Sequence, residues 1–132
     1  MSLLVRLVSL RRATGAFVCG GVAREPLTEV PTIFVYVAAI VDRVLAIHHG
    51  APSRSEPTLA SLRPGHLIGL TVAHEVGHAL GLPHAASGVM KENADLDDIL
   101  ALRASRFLFL PQQVARMRQA IQRFGDQVTA AR

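Results

Sequence analysis

The spacing of apolar residues changes several times along the chain, and each change marks an element. Residues 3–10 and 16–23 are short runs rich in Leu and Val, punctuated by Gly15, Gly20 and Gly21, and they read as strands. Pro26 and Pro31 bracket a loop. The apolar run at Ile33, Phe34, Val35 and Tyr36 suits a strand over 32–37. Val37, Ile40, Val41, Val44, Leu45 and His48 then recur at helical spacing, which predicts a helix over 38–49. Gly50, Pro52, Ser53, Ser55 and Pro57 make residues 50–58 a loop.

Pro64 fits the first turn of a helix, where its missing N–H leaves no bond unmade. That helix should reach about Leu80. It is apolar nearly all round (Leu67, Ile68, Leu70, Val72, Ala73, Val76, Ala79), so it should be buried. Its polar exceptions, His66, Thr71, His74, Glu75 and His78, therefore need partners. The acidic stretch with Glu92, Asp95, Asp97 and Asp98 reads as a solvated helix or loop. Pro111 opens a last helix with an apolar stripe at Val114, Met117, Ile121 and Phe124, and Gly125 stands where a C-cap glycine belongs.

Composition narrows the class. The chain has 132 residues, 50% hydrophobic and 18% charged, which suits one globular domain with a modest core. The net charge is +4, but the arginines are scattered and form no dense run, so no nucleic-acid partner is expected. Cys19 is the single cysteine; it has no cysteine partner for a disulfide or a metal site, and a buried structural role is expected. Arg6 interrupts the N-terminal apolar stretch, which makes a poor signal peptide, and no segment reaches the length of a membrane span. A soluble protein is expected; its compartment is left open.

Residues 74–84 carry the chemistry: His-Glu-Val-Gly-His-Ala-Leu-Gly-Leu-Pro-His. His74 and His78 stand four apart, so on a helix they share a face one turn apart and can reach one metal ion. Glu75 projects about 100° round the helix from His74, beside the metal rather than on it. A third ligand reaches the same ion only if the helix stops and the chain turns back. Gly81 permits the left-handed residue such a turn needs, Pro83 prevents helix from resuming, and His84 completes three nitrogen ligands. Three protein ligands on zinc leave a fourth position for water, the catalytic arrangement. Zinc lowers the pKa of that water toward about 7. Glu75 is then the expected general base. His48, His49 and His66 are expected at surface or helix-end positions.

The pattern HExxHxxGxxH resembles the metzincin clan of zinc endopeptidases, which place a methionine in a tight turn beneath the metal. Ser87-Gly88-Val89-Met90 follows His84 closely, and Met90 resembles that residue, whose implied role is an apolar floor under the imidazoles. Phe107-Leu108-Phe109-Leu110-Pro111-Gln112-Gln113-Val114 is similar to the start of the last helix in matrixin-like catalytic domains, although the family usually has acidic residues where Gln112 and Gln113 stand. No tyrosine follows Met90 closely; the only one is Tyr36. The resemblance implies an α+β, zincin-like fold: a small twisted sheet packed on the active-site helix, with the methionine turn and the last helix closing the cleft. It implies one catalytic domain over residues 1–132, in which 1–60 is a reduced N-terminal part and 61–132 holds the zinc-binding helix, methionine turn and C-terminal helix. It further implies Zn2+ as cofactor and a peptide or protein substrate lying extended along the sheet edge. The alternative expectation is a zinc-holding but inactive or truncated binding module.

Overall fold

The computed structural model describes residues 4–8, 19–24, 31–50, 60–104, 106 and 108–130. Among these residues the architecture is mixed α and β, with a three-stranded sheet and four helices. The strands are β1 (Leu4–Val8), β2 (Gly20–Arg24) and β3 (Pro31–Tyr36). The helices are α1 (Val37–Gly50), α2 (Pro64–Ala79), α3 (Leu96–Arg103) and α4 (Pro111–Ala130).

The sheet order is β1-β3-β2. β1 runs parallel to β3, pairing Leu4 with Thr32 and Val8 with Tyr36, and β2 runs antiparallel to β3, pairing Gly20 with Val35 and Arg24 with Pro31. β3 is thus the central strand, and it is the one with a strong burial pattern. Ile33 and Val35, two apart and so on one face, are fully buried. They form one core with Ile40 and Val44 of α1, Leu62, Leu67 of α2 and Ile99 of α3. Each such side chain contributes roughly 1.5–3 kcal/mol by leaving water. Edge strand β1 instead leaves Leu4, Val5 and Leu7 well exposed.

The sequence places most elements within a residue or two. β1 and β2 fall inside or beside the expected strands 3–10 and 16–23; residues 3, 9–10 and 16–18 lie outside the described residues, as do the Pro26 loop and most of 50–58. α1 begins directly at Val37 with no intervening loop. Two expectations are corrected. Gly125 does not cap α4, which continues to Ala130 with no positive φ at Gly125. The inward stripe of α4 also shifts: Gln113 and Ala120 are buried, whereas Ile121 is 56% exposed. The acidic stretch contains a true helix start. Asp95 accepts from the Asp98 backbone N–H at 3.0 Å and Asp98 accepts from the Asp95 N–H at 2.9 Å, a reciprocal cap.

α2 positions the site. It contacts α1, β2 and β3, which holds it across the sheet beside edge strand β2. No helix among the described residues is long and apolar enough to cross a membrane.

Candidate metal centre and catalytic site

α2 ends in a turn whose hydrogen bonds define it. The Gly81 N–H donates to the His78 carbonyl and the Leu82 N–H to the Gly77 carbonyl, both at 2.9 Å. These are the two crossed bonds of a Schellman motif, and Gly81 supplies the left-handed residue with φ +85°. Leu82 is buried, which anchors the returning chain. The return carries His84 back over the helix face that bears His74 and His78.

All three rings meet. Nε2 of His78 lies 3.0 Å from Nε2 of His74 and 3.0 Å from Nε2 of His84. The far nitrogens of two rings are already committed: His74 Nδ1 donates to the Val89 carbonyl and His78 Nδ1 to the Leu82 carbonyl, each at 2.8 Å. A carbonyl can only accept, so both Nδ1 atoms carry the proton and both Nε2 atoms of the neutral rings present bare lone pairs. Two bare nitrogens at 3.0 Å cannot hydrogen-bond each other; a shared cation would satisfy both. Nitrogens on a tetrahedral zinc at 2.0–2.1 Å stand about 3.3 Å apart, close to the observed spacing. The donor set therefore fits a divalent, imidazole-preferring metal such as zinc. Burial, with the neighbouring His78 and His84, holds His74 below the ordinary histidine range despite the opposing bond to Val89. That favours the neutral, ligating form.

Two supports of this cluster come from the segment after His84. The Ala85 N–H donates to the Met90 carbonyl and the Lys91 N–H to the Gly88 carbonyl, both at 2.9 Å, closing a tight turn over 85–91. Gly88 sits in it at φ +74°. The turn aims the Val89 carbonyl at His74 and buries Met90 completely, with its sulfur against Gly77 of α2. Met90 thus lies under the helix one residue from ligand candidate His78.

Glu75 is 7% exposed. It lines a cleft of about 440 Å³ together with His74, His78 and His84. Burial pushes its pKa above the ordinary carboxylate range, only partly offset by His78. A carboxylate of raised basicity beside three imidazoles that could hold a metal is equipped to take a proton from a water.

The same cleft holds residues that sequence reasoning did not assign to it. Cys19, Gly20 and Arg43 line it, from the start of β2 and from α1. The Cys19 thiol is pushed up by burial, against the pull of Arg43. Arg43 donates to the Ala94 carbonyl and so ties α1 to the segment after the 85–91 turn. No short-range spacing links these positions to residues 74–84; only the fold brings them there. His48 and His49 are exposed at the end of α1, and His66 faces a different cavity. Gln113 acts as a cap: its Oε1 accepts from the Leu110 N–H at 2.8 Å, a role a carboxylate would also serve.

The chain matches no known protein family, no functionally characterised protein and no solved structure.

Proposed function

We propose that the chain is a zinc-dependent metalloendopeptidase of the metzincin type, with His74, His78 and His84 as ligands and Glu75 as general base. The observation that carries the reading is the convergence of three imidazoles, two with their Nδ1 protons engaged, in one cleft with the largely buried residue Glu75. A bound zinc would supply Lewis acidity at a scissile carbonyl and lower the pKa of a coordinated water to about 7.

The chain's own residues would do the rest. Glu75 would accept the proton of the attacking water and pass it to the leaving amine. The Val89 and Leu82 carbonyls would keep His74 and His78 in the ligating tautomer. Edge strand β2, whose Gly20 lies against Glu75 and Thr71, would present main-chain groups to an extended peptide by strand addition. The absence of a side chain at Gly20 would let β2 lie directly against Thr71 and Glu75.

The test compares the parent chain with Glu75→Gln on a mixed peptide library, with zinc content measured on both. The parent is expected to cleave, and the variant to keep zinc while losing roughly 10²–10⁴-fold in turnover. Equal turnover would remove Glu75 from the base role. Zinc bound to both with no cleavage by either would leave a zinc-holding binding module in place of an enzyme.

A further inference from the structure

A second cavity, of about 500 Å³, lies along a different stripe of α2. Gly65, Gly69 and Ala73 form its helical wall, and Leu102, Leu108 and Phe109 supply most of its apolar remainder. Two polar side chains face it, Arg103 and His66, and their bonding is unfinished.

Arg103 donates from Nη2 to Ser61 Oγ at 2.9 Å, and its Nη1 meets His66 Nε2 at 2.8 Å. Its Nε is buried without any partner. The described residues bring it no carboxylate, so a permanently charged guanidinium is matched only by neutral groups. His66 compounds the problem. Its Nδ1 accepts from the Arg63 backbone N–H at 3.0 Å, which places the proton of a neutral ring on Nε2. That proton then points at the guanidinium, donor against donor. With the opposite tautomer the conflict moves to Arg63. Either way, one donor lacks an acceptor beside a half-buried cation.

We propose that this cavity binds a small carboxylic acid with an apolar body, its carboxylate against Arg103 and His66. A carboxylate accepts from both Nη1 and the His66 Nε2–H, supplies the missing negative charge, and leaves its apolar portion on Leu102, Leu108 and Phe109. A single guanidinium in apolar walls suits a monoanion better than a phosphate dianion. The glycines contribute by omission: a Cβ at Gly65 or Gly69 would meet nothing within 4 Å, so the helix leaves this space free. A free fatty acid and the C-terminal end of a short apolar peptide share this chemistry. The site requires neither metal nor peptidase activity.

The test is a titration of the zinc-loaded, 15N-labelled full chain with octanoate, N-acetyl-Leu-Leu, octanol and inorganic phosphate, followed by amide shifts. Octanoate or the dipeptide should move Gly65, Gly69 and Arg103, and which of the two binds more tightly distinguishes the sources. Arg103→Gln should weaken that binding about tenfold or more, as loss of a charge-assisted hydrogen bond does. Octanol and phosphate should bind at least about tenfold more weakly than octanoate, each lacking one half of the recognition. Gly69→Leu provides a variant expected to fold, since it replaces a helical glycine with a strong helix former, and it should block binding by filling the cavity. The proposal is overturned if neither acid binds, if octanol or phosphate binds as well as octanoate, or if Arg103→Gln or Gly69→Leu leaves the affinity unchanged. Shifts confined to Gly20, Thr71 and His74 would put the acid in the metal cleft and overturn it equally.

Discussion

Gly20 and Gly77 lack side chains because their surroundings already occupy the space. A Cβ on Gly20 would stand 2.5 Å from Thr71 Cγ2, 2.9 Å from the Phe34 carbonyl oxygen and 3.3 Å from Glu75 Cγ. The Phe34 oxygen belongs to the central strand and has little room to retreat, so the strain falls on Thr71 and Glu75. Gly20→Ala is therefore expected to cost about 1–3 kcal/mol, as overpacking does, measured by denaturant unfolding. On the proposed function it should also lower peptide turnover more than zinc affinity, because Glu75 is displaced while the histidines are untouched. Gly77 faces the sulfur of Met90 in the same way. His84 is the outermost of the three rings and the only one without a bond from Nδ1 to a carbonyl. His84→Ala should weaken zinc binding by more than the roughly 10–100-fold typical of losing an outer-shell partner. Near-parental affinity in a competition titration would show that residue 84 is not a ligand.

Among the elements, α3 is held at its start by charge. Asp95 accepts from Lys91 Nζ at 2.6 Å and from the Asp98 N–H, which together lower its pKa from the ordinary 3.8 to about 2. A carboxyl held lower in the folded state stabilises at pH above 3.8 and loses that contribution as pH falls toward about 2. Amide exchange in α3 should accelerate over that window ahead of α2, and Asp95→Asn should flatten the pH dependence while keeping a cap. An unchanged profile in the variant would assign the acid sensitivity elsewhere. α4 offers a test of the opposite sign. Local reasoning reads Gly125 as a terminator, whereas the helix continues to Ala130 with open space where a Cβ would go. Gly125→Ala should then stabilise by about 0.5–1 kcal/mol; a C-cap glycine would instead give a loss. This contrast shows what is legible in a sequence. α1 and α2 were readable because periodicity and Pro64 are local signals, and the Schellman turn was readable because Gly81 and Pro83 announce it. The extension of α4 was not, because a single glycine costs a helix too little to stop it. Cys19, Gly20 and Arg43 were invisible as cleft residues because only the pairing of β2 with β3, and the packing of α1, bring them to Glu75.

At the scale of the whole molecule, the centre is assembled from two segments, α2 and the return over residues 82–91. His74 and His78 ride on α2, which the core fixes through Leu67 and the buried Thr71. His84 rides on the return from the Schellman turn, and Val89, which orients His74, sits in the closed turn beyond it. Without a cation, the convergence sets bare lone pairs against one another; with one, three nitrogens become a clamp between the helix and the 82–91 segment. Metal binding should therefore be folding free energy, not merely occupancy. A ligand at 100 times its Kd adds about 2.7 kcal/mol to the folded state, which for a domain of this size raises Tm by roughly 10 °C. Chelation is expected to reverse that gain, and amide exchange should rise first over residues 82–91 and only later in the sheet. His84→Ala should abolish most of the zinc-dependent rise while leaving the metal-free Tm near that of the parent, because His84 is exposed and packs little. Scanning calorimetry of parent and variant, each with zinc and with chelator, separates the outcomes. A Tm that ignores zinc in the parent would mean that the three imidazoles do not bind the metal as a unit.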